Sequence, residues 1–272
     1  MNDDISKREK SMENSVHYHL SDEGIANVTL NRVELHNAFD DAMIETMIEI
    51  LWQIKNEPKA RILVLRSAAK SFSAGADLAW MKRVAGYDFD SNVSDAVRMA
   101  DMYSAIYFME IPTIAVVNGA AYGGGLGLLA ACDFAIGGPS ASMCLSEVAL
   151  GLVPAVVSPF VIDAIGVKAF KRLSISAAKI NANEALRLGL LSHLVEADAL
   201  EHAVETLVQQ CLRNGPAAMA ATKALANEMA HQTIGEHTKQ VTSHTIATLR
   251  GSEEGRAGIS AFLEKRPAPW RK

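Results

Sequence analysis

Three stretches of this chain carry residue types whose spacing could do chemistry. The first is Gly123-Gly124-Gly125, which follows the β-branched run Thr113–Val117 and precedes the apolar segment Leu126–Cys132. A strand running through glycines into a helix leaves the first helical N–H groups without internal partners and adds the positive end of the helix dipole. Such a place can bind a phosphate or hold a developing oxyanion. The second stretch, Ser73-Ala74-Gly75-Ala76-Asp77, sits the same way: the apolar run Ile62–Leu65 before it and a helical pattern after it. The third is Glu147, a lone carboxylate between the apolar segments Met143–Leu145 and Val148–Pro154. A half-buried carboxylate there would have its pKa raised toward the range useful for proton transfer.

Either glycine loop alone reads most simply as a turn that needs positive φ or close packing. A dinucleotide-binding fingerprint does not fit, because Asp133 follows after one short helix with no second βα unit. Two strand-to-helix loops change the reading. Two such loops supply the pair of convergent backbone N–H groups that a developing oxyanion needs.

The elements that must place these groups can be read from pattern. Gly24–Leu30 reads as a strand, and residues 40–55 read as a helix capped by Asp40 or Asp41, with Met43, Ile44, Met47, Ile48 and Leu51 on its apolar face. The polar stretch 82–95 is a poor candidate for core, and a helix is expected over 95–109. Short strands are expected over 133–136, 142–145 and 193–195, with a helix over 182–190 stopped by Gly189. Helices follow at about 200–213, 216–230, 234–249 and 253–265. The domain reading is a polar tail over 1–15 that is disordered, a core over 16–199 and a helical appendage over 200–272. Pattern by itself gives an α/β class.

Composition narrows the function classes. The chain has 272 residues, 49% apolar and 21% charged, which suffices for a large core. A net charge of −5 argues against a nucleic-acid binder that relies on a basic surface. No apolar run is long enough to cross a bilayer, and the N-terminus lacks the apolar centre of a signal peptide. Cys132, Cys144 and Cys211 show no metal spacing and read as buried thiols of a reducing compartment. The expected location is the cytoplasm, with no metal, membrane or nucleic-acid partner.

Taken together, SAGAD, GAAYGGG, LSEVALGLVP and the closing F-x-E-K-R-x-P resemble the crotonase, or enoyl-CoA hydratase/isomerase, superfamily from about Val16 to Trp270. The resemblance implies a spiral of ββα units followed by a C-terminal helical trimerisation segment, assembled as a homotrimer or a dimer of trimers. It implies an acyl-CoA thioester substrate and no separate cofactor, since coenzyme A is part of that substrate. It assigns the oxyanion donors to Ala76 and Gly124 and proton transfer to Glu147. It assigns contacts with the CoA portion to Arg32 and Ala38 in LNR-x-x-x-HNAF, to Ala74, Asp77 and Leu78 around SAGAD, and to Phe262 and Lys265 at the C-terminus.

One departure bears on the reaction. Many hydratases of the superfamily carry a second glutamate where this chain has Gly127. A single-glutamate isomerase that moves a double bond is therefore a rival, and a non-catalytic CoA-ester binder is a third reading. Other segments, among them HNAFDD and EGRAGISAFLEKRPAPW, look most like bacterial 3-methylglutaconyl-CoA hydratases of leucine breakdown. A glycine at 127 is expected to remove a like charge from the pocket of an acidic substrate and to make room for a branched acyl chain. Lys82, Arg83 and Ser158 are candidates to meet the distal carboxylate.

Overall fold

The computed structural model describes residues 15–230 and 232–271. The tail expected to be disordered lies, apart from Ser15, outside the described residues.

Among the described residues, nine strands fall in chain order: β1 (Val16–Leu20), β2 (Ile25–Leu30), β3 (Ile62–Ser67), β4 (Thr113–Val117), β5 (Ala120–Tyr122), β6 (Phe134–Gly137), β7 (Ser142–Cys144), β8 (Ile180–Asn181) and β9 (His193–Leu194). Six form one sheet in the order β1-β2-β3-β4-β6-β9, antiparallel only between β1 and β2. The other three form a small sheet in the order β5-β7-β8. Strands β3 and β4 are buried along nearly their whole length, as parallel strands covered on both faces must be. That is why they read as continuous apolar runs rather than alternations.

The spiral follows from how the chain alternates between sheets. Strand β4 in the large sheet leads within three residues to β5 in the small one, and β6 leads within five to β7. After β3 the chain makes the corresponding step through a single parallel bridge, Ser73 to Ala121. Each step then enters a helix, which completes a ββα turn.

The helices are α1 (Asp41–Lys55), α2 (Leu78–Val84), α3 (Phe89–Tyr107), α4 (Gly124–Ala131), α5 (Ser158–Ser176), α6 (Ala182–Leu188), α7 (Leu200–Leu212), α8 (Pro216–Met229), α9 (Glu236–Gly251) and α10 (Glu253–Leu263). Asp40 caps α1 by accepting from Met43 N at 2.9 Å, and Gly189 ends α6 in the left-handed region. Helix α3 starts at Phe89, six residues earlier than the pattern suggested. Asp88 caps it through Ser91 N at 2.8 Å, and the exposed polar residues of its first turns disguise it as loop. Helix α5 was not delimited from pattern. Gly166, at φ 75° and ψ 158°, breaks it and with it the helical period.

The chain forms two compact units. One runs from the described N-terminal end to Met109 and from Thr113 to Val204. The other comprises Glu110–Pro112 and the residues from Glu205 onward. The boundary falls inside α7, a few residues beyond the composition shift near 200. Within the second unit, Glu254 of α10 accepts from Ala217 N and Ala218 N at 3.0 and 2.9 Å, which satisfies the first turn of α8. None of the three cysteines forms a disulfide. Cys211 is buried, whereas Cys132 and Cys144 are partly exposed, so the expectation of three buried thiols holds for one.

Candidate active site

Two loops meet in the first unit. The loop after β3 lies on the turn between β5 and α4 through Ser73, which donates its N–H to Ala120 O at 3.0 Å and accepts from Tyr122 N at 2.9 Å. Gly75, at φ 90°, has its Cα so close to the Tyr122 carbonyl that a Cβ would stand 2.9 Å from that oxygen. Only glycine fits both the conformation and the space. On the other side, Phe39 N donates to Gly75 O and Asp77 N donates to Phe39 O, both at 2.7 Å. Ala76 is thereby held between two bonded neighbours. Buried Ser73 adds a second tie: its hydroxyl donates to Asn37 O at 2.7 Å and accepts from Gly75 N at 3.2 Å. Among the described residues, the N–H groups of Ala76 and Gly124 have no acceptor.

Glu147 opens a short 3₁₀ turn, Glu147–Leu150, just after β7. Gly123 N donates to Cys144 O at 2.9 Å, which fastens the start of α4 to the end of β7. The Glu147 carboxylate consequently lies against the bare Cα of Gly123: a Cβ there would be 3.1 Å from Oε1. Its Oε2 is buried and has no hydrogen-bond partner among the described residues. Burial raises the Glu147 pKa above the ordinary carboxylate value, and a backbone hydrogen bond partly opposes the shift. The arrangement is a half-buried carboxylate against the turn that carries the Gly124 N–H, with the Ala76 N–H on the loop bonded to that turn. It suits a reaction that builds negative charge on a carbonyl oxygen while moving a proton.

The sequence model of the Enoyl-CoA hydratase/isomerase family matches residues 21–272. The chain belongs to that family. The crystal structure of an enoyl-CoA hydratase from Shewanella pealeana superposes with a TM-score of 0.92 at 40% identity, covering 97% of this chain and 98% of that one. A crotonyl-CoA hydratase of Syntrophomonas wolfei is 30% identical over 249 residues, 91% of this chain and 94% of that protein. The mitochondrial methylglutaconyl-CoA hydratase of Mus musculus is 30% identical over 262 residues, 92% of this chain and 81% of that protein. The α/β spiral expected from the sequence is therefore the family's fold.

Several residues assigned to CoA contacts turn out to hold the loops themselves. Arg32, only 17% exposed, donates to Ala38 O at 2.6 Å and pairs with Asp40 at 3.0 Å and Asp77 at 3.1 Å. Asp77 is buried and also caps α2 through Ala79 N and Trp80 N. The two thus brace the segment 31–40 against the segment 73–77. Ala38 is buried with its carbonyl taken by Arg32, while Ala74 is exposed and donates its N–H to His36 O. Leu78 is 83% exposed beside the free donor of Ala76. Phe262, 82% exposed, and Lys265, at φ 54°, belong to the second unit.

The structure corrects the reading of Gly127. The space above its Cα is not open: a Cβ would stand 2.5 Å from Val157 Cγ1 and 3.0 Å from Tyr103 Cε1. Tyr103 and Val157 fill the place expected to receive a branched acyl chain. The candidates for a distal carboxylate fare no better. Arg83 pairs with Asp41 at 2.7 Å, Lys82 is exposed on α2, and the Ser158 hydroxyl donates to Ala155 O at 2.7 Å. Tyr103 itself escaped the sequence reading. Its only signal was a place on the buried stripe Met102, Tyr103 and Ile106 of α3.

Proposed function

We propose that the protein hydrates the double bond of a 2-enoyl-CoA, with 3-methylglutaconyl-CoA as the preferred substrate. The observation that carries the reading is Glu147: a carboxylate with an unpartnered oxygen and a raised pKa, set against Gly123 next to the free N–H of Gly124. In this scheme Glu147 takes a proton from water as the water oxygen bonds to C3. The electron pair of the double bond moves onto the thioester oxygen, where the N–H groups of Ala76 and Gly124 hold the enolate. Glu147 then returns its proton to C2, so one water is gained and the enzyme is restored. The likeness to methylglutaconyl-CoA hydratases and the lack of a carboxylate at 127 support an acidic acyl group, although the packing there removes the argument from size.

The same lack of a second carboxylate favours a rival in which Glu147 alone moves a proton from C2 of a 3-enoyl-CoA to C4. One assay separates the readings: incubation with 3-methylglutaconyl-CoA, crotonyl-CoA and a 3-enoyl-CoA, followed by product mass. Gain of one water supports hydration, unchanged mass with a shifted absorbance supports isomerisation, and no reaction with any leaves a binding protein. A homotrimer or a pair of trimers is part of the proposal, supported by the exposed Ile246, Ile259, Phe262 and Leu263 of the helical unit. Sedimentation showing a monomer at micromolar concentration would reject it.

A further inference from the structure

The start of α4 has a mechanical problem. Its first residues, Gly124 and Gly125, and its cap Gly123 are the poorest helix formers short of proline, and no side chain caps it. Yet the N–H of Gly124 must stay aimed at a thioester oxygen, and oxyanion donors act only when their position is held before charge develops.

Tyr103 meets that need from behind. It is completely buried, and its hydroxyl donates to Gly124 O at 2.9 Å. The same hydroxyl would be 2.8 Å from a Cβ on Gly124, with the Phe39 ring equally close on another side. The tyrosine ring is itself fixed, lying over Gly127 and packing against Phe160 at a centroid distance of 5.7 Å. We propose that Tyr103 is a positioning residue for the oxyanion hole, its hydroxyl clamping Gly124 through the carbonyl so that the N–H of the same residue keeps its aim. Gly127 is the other half of the device, because any side chain there would meet the ring. The residue that the loss of a second glutamate admits is thus the one that stiffens the remaining machinery. Desolvation, with the nearby Glu147 charge adding to it, holds the phenol well above its ordinary pKa, so it stays a donor throughout the working pH range.

This inference rests on the backbone oxyanion hole proposed above, and the test separates the two. Tyr103→Phe keeps the ring and removes the donor. In the wild type, binding of a slowly reacting conjugated enoyl-CoA should lower the thioester carbonyl stretch in difference infrared spectra. If it does not, the oxyanion reading fails, and the clamp with it. If it does, Tyr103→Phe should give a smaller lowering. Its kcat should fall about 10-fold with KM within 2-fold, below the 10²–10³-fold typical of losing a donor outright. The acid limb of the kcat–pH profile should not move, because Glu147 is untouched. An unchanged carbonyl stretch with kcat within 2-fold would overturn the proposal, as would a loss confined to KM or a displaced acid limb. Should Tyr103→Phe not fold, Gly127→Ala serves instead: it displaces the ring with the hydroxyl present and should weaken the carbonyl shift in the same way. An undiminished shift in that variant would equally overturn the clamp.

Discussion

Adding one methyl group at Gly127 tests the packing on which the site depends. In Gly127→Ala the new carbon would be 2.5 Å from Val157 Cγ1 and 3.0 Å from Tyr103 Cε1. Carbon atoms prefer 3.5–4.0 Å, so the first contact is short by about 1 Å. Every residue of α4 from Gly125 to Ala131 is buried, which leaves little freedom to yield. Overpacking of this kind costs about 1–3 kcal/mol. Replacing glycine by alanine in a helix returns about 1 kcal/mol. The net loss is about 0–2 kcal/mol, and for a chain of this size each kcal/mol moves Tm by roughly 2–4 °C. Val157→Ala alone removes two buried methyl groups and should cost about 2 kcal/mol. In the double variant the new methyl occupies space that Val157 vacates, so the losses should fall short of additivity by about 1 kcal/mol. Chemical denaturation of the four proteins measures the coupling. Additivity within about 0.5 kcal/mol would refute the contact, and with it the claim that position 127 is filled rather than open.

Five further outcomes are expected. Glu147→Gln should lower kcat by about 10²–10⁴-fold while affinity for product CoA ester stays within a few-fold, measured by turnover and calorimetry side by side; near-wild-type turnover would make Glu147 structural. Because burial raises the Glu147 pKa, the acid limb of kcat should lie above the ordinary carboxylate value of 4.5, with activity lost as pH falls through it. By the same linkage the folded state holds that proton more tightly than the unfolded one. Stability from this group is therefore present below about 4.5 and lost as pH rises through the raised value, so Glu147→Gln should have a higher Tm than wild type near pH 7 and no advantage near pH 4. Should the acidic-substrate reading hold, 3-methylglutaconyl-CoA will exceed crotonyl-CoA in kcat/KM, and equal or reversed preference would reject it. Arg32→Met should lower Tm and kcat together, since it leaves Asp40 and Asp77 without their shared cation, whereas a purely CoA-binding arginine would change KM alone.

The sequence by itself determined the main strands of the large sheet, the two glycine loops and the family. Those features are local or strictly patterned: β3 and β4 are apolar throughout because both faces are covered, and the glycine loops show their backbone demands as glycine and small side chains. Glu147 was legible for a related reason, as a charge set among apolar neighbours needs a purpose. Only the tertiary structure decided what surrounds them. Arg32 and Asp77 lie 45 residues apart, and nothing in either segment announces that each is the other's counter-ion. Tyr103 comes from a helix whose period says merely that it is buried, not that its hydroxyl reaches Gly124. The meaning of Gly127 was reversed for the same reason. A missing side chain leaves open space or admits a neighbour, and the choice belongs to Tyr103 and Val157, which the fold brings from 24 residues before and 30 residues after.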